Sequence, residues 1–169
     1  MKRSIRIEGD IAYVPLTKGY SAVIDAADAR WVGEWNWCVH EMKRADGTVR
    51  AVYALRNDAS CTRYLHREIL GPSAVGLEVD HIDGDGLNNR RANLRPALRA
   101  QNMHNQRRRK DNKSGVKGVS WLRRERLWVA AVYLHGKQKR IGYFSSLDEA
   151  AAAVATARAR LHGDFARHA

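Results

Sequence analysis

The residues able to do chemistry concentrate in positions 79–105, VDHIDGDGLNNRRANLRPALRAQNMHN. Asp80 and His81 stand side by side, and the carboxamide of Asn102 follows downstream. Carboxylate and carboxamide oxygens suit a hard divalent cation such as Mg²⁺. An imidazole that is neutral near pH 7 suits a general base. Hydrolysis of a phosphodiester needs such a set: a base that takes a proton from water, a cation that holds the phosphate and neutralises the leaving oxygen, and side chains that fix both.

Adjacent residues of a strand point to opposite faces. Asp80 and His81 therefore serve one site only if the strand ends there and the chain turns. The pattern predicts this. Leu77–Ile82 reads as a strand, Asp83-Gly84-Asp85-Gly86 as a glycine-punctuated loop, and Leu94–Ala97 as a second strand. Leu98–Arg108 has no Gly or Pro and reads as a helix that brings Asn102 against Asp80. His104 and Asn105, close to Asn102, remain alternative ligands.

The flanking segments read as supports. Ser4–Ile7, Ala12–Pro15 and Ser21–Ile24 are short β-prone runs. Ala26–Trp35 reads as a short helix capped by Asp25, Trp35–His40 as a strand, and Ala45-Asp46-Gly47 as a hairpin turn into Val49–Leu55. Trp31, Trp35 and Trp37 are expected in a core rather than as a stacking platform. Thr62–Leu70 is a short helical or mixed piece closed by Gly71-Pro72. The polar joint Asp111–Gly115 reads as a domain boundary. Beyond it come strands Gly118–Leu122, Leu127–Leu134 and Lys139–Phe144, with His135-Gly136-Lys137 as the turn between the last two. A helix follows, opened by the S-x-x-E box Ser146/Glu149 and stopped at Gly163.

Charge narrows the partner. The 169 residues hold 30 Lys and Arg against 18 Asp and Glu, a net of +12. Between Arg90 and Arg126 lie thirteen Lys or Arg and two acids, Asp111 and Glu125, a net of +11. That block, with the run Arg107-Arg108-Arg109-Lys110, points to a polyanion, nucleic acid first. Two cysteines, Cys38 and Cys61, without a CxxC exclude a disulfide scaffold and a cysteine zinc site. The start MKRSIRIEGD lacks the apolar run of a signal peptide, and no stretch approaches the roughly 18 apolar residues of a membrane span. A soluble, cytoplasmic protein, prokaryotic or phage-encoded, is expected.

The block V-D-H-I-D-G, then N-L-R, then Q-N-x-x-N resembles the ββα-metal finger of HNH endonucleases, in the branch of phage and intron homing enzymes. The resemblance implies His81 as general base, and Asp80 and Asn102 as ligands of one divalent metal, Mg²⁺ with Mn²⁺ possible and no zinc. It implies Asn93 as the middle Asn that braces the loop and orients the base, with Asn88 and Asn89 as competitors for that role. Tyr64-Leu65-His66-Arg67 resembles the L-H-R that precedes the finger and implies packing or phosphate contact from His66 and Arg67. Arg107, Arg108 and Arg109 join them as DNA-binding candidates.

Gly115–Trp121, Trp128–Ala131, Ile141–Phe144, Glu149–Ala151 and Leu161–Ala166 resemble the AP2 DNA-binding domain, over residues 113–167. That family lays the exposed face of its sheet in the major groove, which admits a β-ribbon. The resemblance implies contacts from Lys117, Trp121, Arg123, Arg124, Arg126 and Lys139, with Trp128 in the core. Val129 stands where an Arg often follows the Trp, which leaves base preference open. Val154 replaces a usual Tyr, a change of packing.

The expected fold is α+β: a β-rich region over 1–58, an HNH finger over 59–110, and a three-stranded antiparallel sheet with one helix over 111–169. The expected function is metal-dependent DNA endonuclease, nicking or cutting both strands of duplex DNA, with site preference from the AP2-like part. A catalytically inactive sequence-specific DNA-binding protein is the alternative. A monomer is expected, with a dimer as the other possibility, and no membrane partner.

Overall fold

Alternating small apolar and polar residues build the first sheet. In β2 (Ile11–Pro15) and β3 (Ser21–Asp25), Ala12, Val14, Ala22 and Ile24 all point inward and are buried, and Ala12 pairs with Ile24, Val14 with Ala22. With β1 (Arg6–Glu8) they form an antiparallel sheet in the order β1-β2-β3. The computed structural model describes residues 2–59, 61–104, 111–134 and 136–166. These fall into two compact units, Met1–Ala97 and Leu98–Ala169. The whole is mixed α+β, with several small antiparallel sheets and few helices.

In the first unit a 3₁₀ turn (Ala26–Asp28) and one turn of helix, α1 (Ala29–Val32), lead to β4 (Cys38–Lys43). The hairpin at Asp46-Gly47 returns into β5 (Val49–Asn57), which also pairs with β6 (Thr62–Tyr64). Helix α2 (Leu65–Leu70) packs on β5 and stops at Gly71, whose φ is +56°. The hairpin β7 (Glu78–His81) and β8 (Leu94–Ala97) closes the unit. One core joins these pieces: Ile24, Val32, Trp37, Leu65, Ile69, Val79 and Leu94 belong to a single cluster. The leading strands and the β7–β8 hairpin therefore fold around the same apolar contacts rather than as separate bodies.

The long loop between β7 and β8 is docked on the edge of β3. Val23 donates its N–H to the Leu87 carbonyl at 2.8 Å and accepts the Asn89 N–H at 2.7 Å, a parallel bridge centred on Asn88. Next to it, Arg90 Nε donates to Asp25 Oδ1 at 2.8 Å, and the Arg91 backbone N–H donates to Asp25 Oδ2 at 2.8 Å. Arg91 forks onto the buried Asp28 at 2.7 and 3.0 Å and reaches the Ile69 carbonyl at 2.9 Å. Gly86 lies against β5 so closely that a Cβ there would sit 2.2 Å from the Val52 carbonyl oxygen and 2.6 Å from the Tyr53 ring.

Three local expectations change. Ala26–Trp35 is a 3₁₀ turn and one helical turn, and Asp25 makes no side-chain cap. Its carboxylate is taken instead by the Arg90 guanidinium and the Arg91 backbone N–H, and these two bonds, one of them to a charged donor, replace the cap. The strand expected from Trp35 begins only at Cys38, because the N–H groups of Glu34 and Trp35 still close turns onto Trp31 and Val32. Trp37 is fully buried as expected, and Trp31 packs against the core. Trp35 does not: it is 47% exposed, with the Arg56 guanidinium 4.1 Å above its ring.

In the second unit, β9 (Val119–Leu122), β10 (Leu127–Leu134) and β11 (Lys137–Phe144) form an antiparallel sheet in the order β11-β10-β9, with a register shift at Ala130/Ala131. Helix α4 (Leu147–His162) crosses it and buries Ala150, Val154 and Ala157 against Val119, Ala130 and Val132. Ser146 and Glu149 form the expected capping box, and Gly163 ends the helix with φ +52°. Val154 sits in the middle of this core. β11 starts two residues earlier than expected; His135 of the expected turn lies outside the described residues. The described part of the helix expected over 98–108 is α3 (Arg99–His104), and the rest lies outside the described residues. Among the described residues no helix is long and apolar enough to cross a membrane.

Burial alone would raise the Asp25 carboxyl. The bonds from Arg90 and from the Arg91 N–H outweigh it and hold the group below the usual carboxylate range. A depressed carboxyl stabilises the fold fully above its unfolded value, near pH 4, and the contribution is lost as pH falls through the folded value. Asp25→Asn is expected to flatten the acid limb of a stability curve below about pH 5, read by urea denaturation at successive pH values. Gly86→Ala is expected to cost on the order of 1–3 kcal/mol through overpacking, read by the same denaturation at pH 7.

Candidate active site

Strand β7 ends at His81, and register fixes what surrounds its last two residues. Asp80 stands opposite Arg95, and His81 opposite Leu94. Asp80 is 3% exposed, and its Oδ2 accepts from Arg95 Nε at 2.8 Å and Nη2 at 2.7 Å. The chain then turns as anticipated, with the Gly84 N–H closing on the His81 carbonyl at 2.8 Å.

The loop is knotted by its own polar side chains. Asn93 Nδ2 donates to Asp83 Oδ1 at 3.0 Å and to the Asn88 carbonyl at 2.8 Å, and its Oδ1 accepts the Asp83 N–H at 3.1 Å. Asp83 also accepts from the Asp85 N–H at 2.8 Å and Asn88 Nδ2 at 2.7 Å. Burial pushes the Asp83 carboxyl up, but these donors outweigh it and keep the group below its ordinary value, ionised at neutral pH.

His81 is 6% exposed and sits among aromatic rings. The His66 ring lies 5.2 Å away edge-on and Tyr53 5.9 Å away. His81 Nε2 is 3.4 Å from Asn89 Oδ1. Burial holds the imidazole below its ordinary value, opposed by the Asn89 bond and by Asp83, Asp80 and Asp85. The ring is therefore neutral at pH 7, the state a general base needs. His66 is 8% exposed, stacked on Tyr64 at 5.4 Å, and pushed down to about 3 by burial first and then by His81 and Arg67.

The candidates from the sequence are placed as follows. Asp80, His81 and Asn93 come together at the β7–β8 hairpin. His66 is inside the ring cluster rather than at the surface, and Arg67 ties α2 to the next segment through the Ala74 and Leu77 carbonyls. Asn102 lies on α3 in the second unit, its N–H bonded to the Leu98 carbonyl at 3.0 Å. Asn105, Arg107, Arg108 and Arg109 lie outside the described residues. Among the described residues no three His, Cys, Asp or Glu gather into a metal-binding group. Asp80 offers a carboxylate oxygen, a donor type that suits a hard divalent cation.

In the second unit Arg123, Arg124 and Arg126 stand exposed in the turn between β9 and β10, and Lys117 is partly buried. Trp121 is exposed and packs its ring on Trp128 at 4.9 Å, while Trp128 leans on the core. By register, Lys139 faces the same side as the buried Val132, whereas Arg140 and Gln138 stand opposite Ala131 and Tyr133 on the helix-free face. That face has a shallow depression lined by Ser120, Val129, Gln138, Arg140 and Tyr143 among others.

Two kinds of residue were missed. Asn89 stood only as a rival to Asn93, because the bond to His81 depends on the docking of the loop on β3. Arg140 and Tyr143 were missed because the shift at Ala130/Ala131 decides which face each β11 residue takes; strict alternation from the β10 side was the available signal.

A family model described as HNH endonuclease matches residues 63–104, from β6 through α2 and the β7–β8 hairpin to α3. Protein 3.8 of Escherichia phage T7 is 42% identical over 99 residues, 57% of this chain and 79% of that protein. No solved structure matches the chain. The matched segment contains Asp80, His81, Asn93 and Asn102, and the chain belongs to the family of phage Protein 3.8, with an HNH endonuclease domain over residues 63–104.

Proposed function

We propose that the chain is a DNA endonuclease that depends on one divalent metal, Mg²⁺ or Mn²⁺, and hydrolyses phosphodiester bonds of duplex DNA. The observation that carries this reading is a buried, neutral His81 beside the ionisable Asp80 at the end of β7, inside the HNH domain. His81 takes a proton from water, the water oxygen attacks phosphorus, and the P–O3′ bond breaks. The 3′ oxygen leaves and takes up a proton, giving a 5′-phosphate and a 3′-hydroxyl. Asp80 would be a ligand of the metal, which when bound supplies charge neutralisation to the phosphate and the leaving oxygen; the Asn102 carboxamide is the second ligand that the HNH resemblance implies. Arg95 keeps the Asp80 carboxylate oriented and offsets its charge until then. Asn93 keeps the loop in shape.

The AP2-like reading of the second unit belongs to the same proposal. Its support is the three-stranded sheet crossed by α4, with a helix-free face bearing Arg140, Tyr143 and Tyr133. That face, with the exposed arginines of the β9–β10 turn, contributes site preference and phosphate contacts. The functional division is then 1–58 as support, 59–110 as nuclease finger and 111–169 as DNA reader. A single finger cuts one strand per pass, so a monomer nicks.

Supercoiled plasmid with Mg²⁺ or Mn²⁺ is expected to convert to nicked circles with wild type. His81→Ala is expected to be slower by at least about 100-fold, the usual scale of a lost general base. Equal, undetectable conversion by both across many plasmid sequences would leave the DNA-binding alternative. Separately, Arg140→Ala or Tyr143→Ala is expected to weaken duplex binding by at least about fivefold, with a shallower salt dependence for Arg140→Ala. Fluorescence anisotropy at several salt concentrations measures both, and unchanged affinity would remove the helix-free face from the interface.

A further inference from the structure

The outer half of the β4–β5 hairpin lies wholly at the surface: every residue from Met42 to Arg50 is exposed. It carries three cations, Lys43, Arg44 and Arg50, against one acid, Asp46, whose carboxylate accepts the Thr48 N–H at 2.9 Å and the Thr48 hydroxyl at 2.6 Å. The inner half reaches the rings of the candidate site. His40 stands opposite Tyr53 across the two strands, so both share one face. The Tyr53 ring lies 5.9 Å from His81 and 5.6 Å from His66, and His40 lies 6.1 Å from Tyr64.

Neighbouring arginines are engaged. Arg44 closes the turn onto Thr48 and the Val49 carbonyl, while Arg56 and Arg63 pair with Glu68 and Asp58. Arg50 is different: among the described residues it makes no hydrogen bond and no ion pair. Register gives the reason. Met42 pairs with Ala51 and Lys43 with Val49, so no β4 residue stands opposite Arg50. An extra residue of this kind bends the strand and re-aims its side chain. Burial raises the Tyr53 phenol; the Arg50 charge opposes this and Asp80 adds to it, so the hydroxyl lies within electrostatic reach of both. The phenol keeps its proton at neutral pH and can donate, yet it has no hydrogen-bond partner among the described residues.

Resting on the reading of the chain as an enzyme of duplex DNA, we propose that Arg50 and Tyr53 clamp one backbone phosphate beside the site, the guanidinium pairing with its charge and the phenol O–H donating to the same group. A guanidinium suits this ligand because it stays charged and offers paired donors. Neither residue lies in the matched HNH segment, so the leading hairpin holds substrate as well as supporting the finger.

Binding of the full chain to a labelled duplex, read by fluorescence anisotropy without metal over a series of KCl concentrations, tests the clamp. Loss of one phosphate contact lowers the slope of log affinity against log salt by about 1. Arg50→Gln is expected to show that loss, and Arg50→Lys to keep the wild-type slope. Tyr53→Phe, which retains the ring, is expected to weaken binding about threefold, the scale of one hydrogen bond, with no change of slope. Arg30→Gln removes another exposed cation, on α1, and is expected to leave the slope as it is. A wild-type slope for Arg50→Gln overturns the proposal. So does an equal loss from Arg30→Gln, the mark of net charge alone, and so does wild-type affinity of Tyr53→Phe. Should Tyr53→Phe not fold, the Arg50 and Arg30 variants decide. Plasmid nicking is read separately. The expected slopes in a chain that cuts no DNA keep the clamp and sink the nuclease reading; nicking with a wild-type slope for Arg50→Gln does the reverse.

Discussion

The site depends on one backbone contact, the pairing of Val23 at the edge of β3 with Leu87 and Asn89 of the loop between β7 and β8. A polar glycine loop this long has little apolar surface of its own to bury and would otherwise sample many shapes. Val23 fixes its middle, Asp25 and Asp28 fix its far end through Arg90 and Arg91, and Asn93 fixes its neck. Those anchors lie in the segment ahead of the HNH domain as well as in it. A shared core from Ile24 to Leu94 makes the arrangement stiff, because the anchors cannot separate without opening apolar contacts.

The same anchors revise how the charge of the chain is used. The net +11 between Arg90 and Arg126 suggests a continuous surface for a polyanion. Three of its members are instead engaged within the first unit: Arg90 with Asp10 and Asp25, Arg91 with Asp28, and Arg95 with Asp80. These arginines hold the fold and the carboxylate of the site. What the block leaves for a polyanion is its other basic residues, among them the exposed Arg123, Arg124 and Arg126 between β9 and β10. The pairing of Arg95 with Asp80 also has a chemical consequence. A carboxylate buried without a counter-charge would be costly, and the Arg95 guanidinium supplies that counter-charge at 2.7 and 2.8 Å.

Much of this was legible in the sequence because it is local. The β7–β8 hairpin, the glycine loop and the Ser146/Glu149 capping box each depend on residues within a few positions of one another. The strands of the β1–β3 and β9–β11 sheets lie close to the β-prone runs that announce them. Other features depend on distant partners. Asp25 has the composition and position of a cap, and only the approach of Arg90 and Arg91, 65 and 66 residues later, turns it into an ion-pair anchor. Trp35 has the character of a core residue, yet Arg56 from β5 covers it at the surface. Asn89 and Asn93 are indistinguishable by type and lie four residues apart; the docking of the loop on β3 gives one the ring and the other the loop. In β11 the register shift puts Lys139 on the side of Val132 and Arg140 on the helix-free face, which alternation counted back from Phe144 does not foresee.

The central claim is that His81, held on this loop, activates water for attack on a DNA phosphate. Mapping the ends produced on a randomised duplex library, with wild type and His81→Ala side by side, tests it most directly. The account predicts 5′-phosphate and 3′-hydroxyl ends that a DNA ligase reseals, abundant with wild type and nearly absent with His81→Ala. Ends of the opposite polarity, or the same ends at the same yield from His81→Ala, would contradict it.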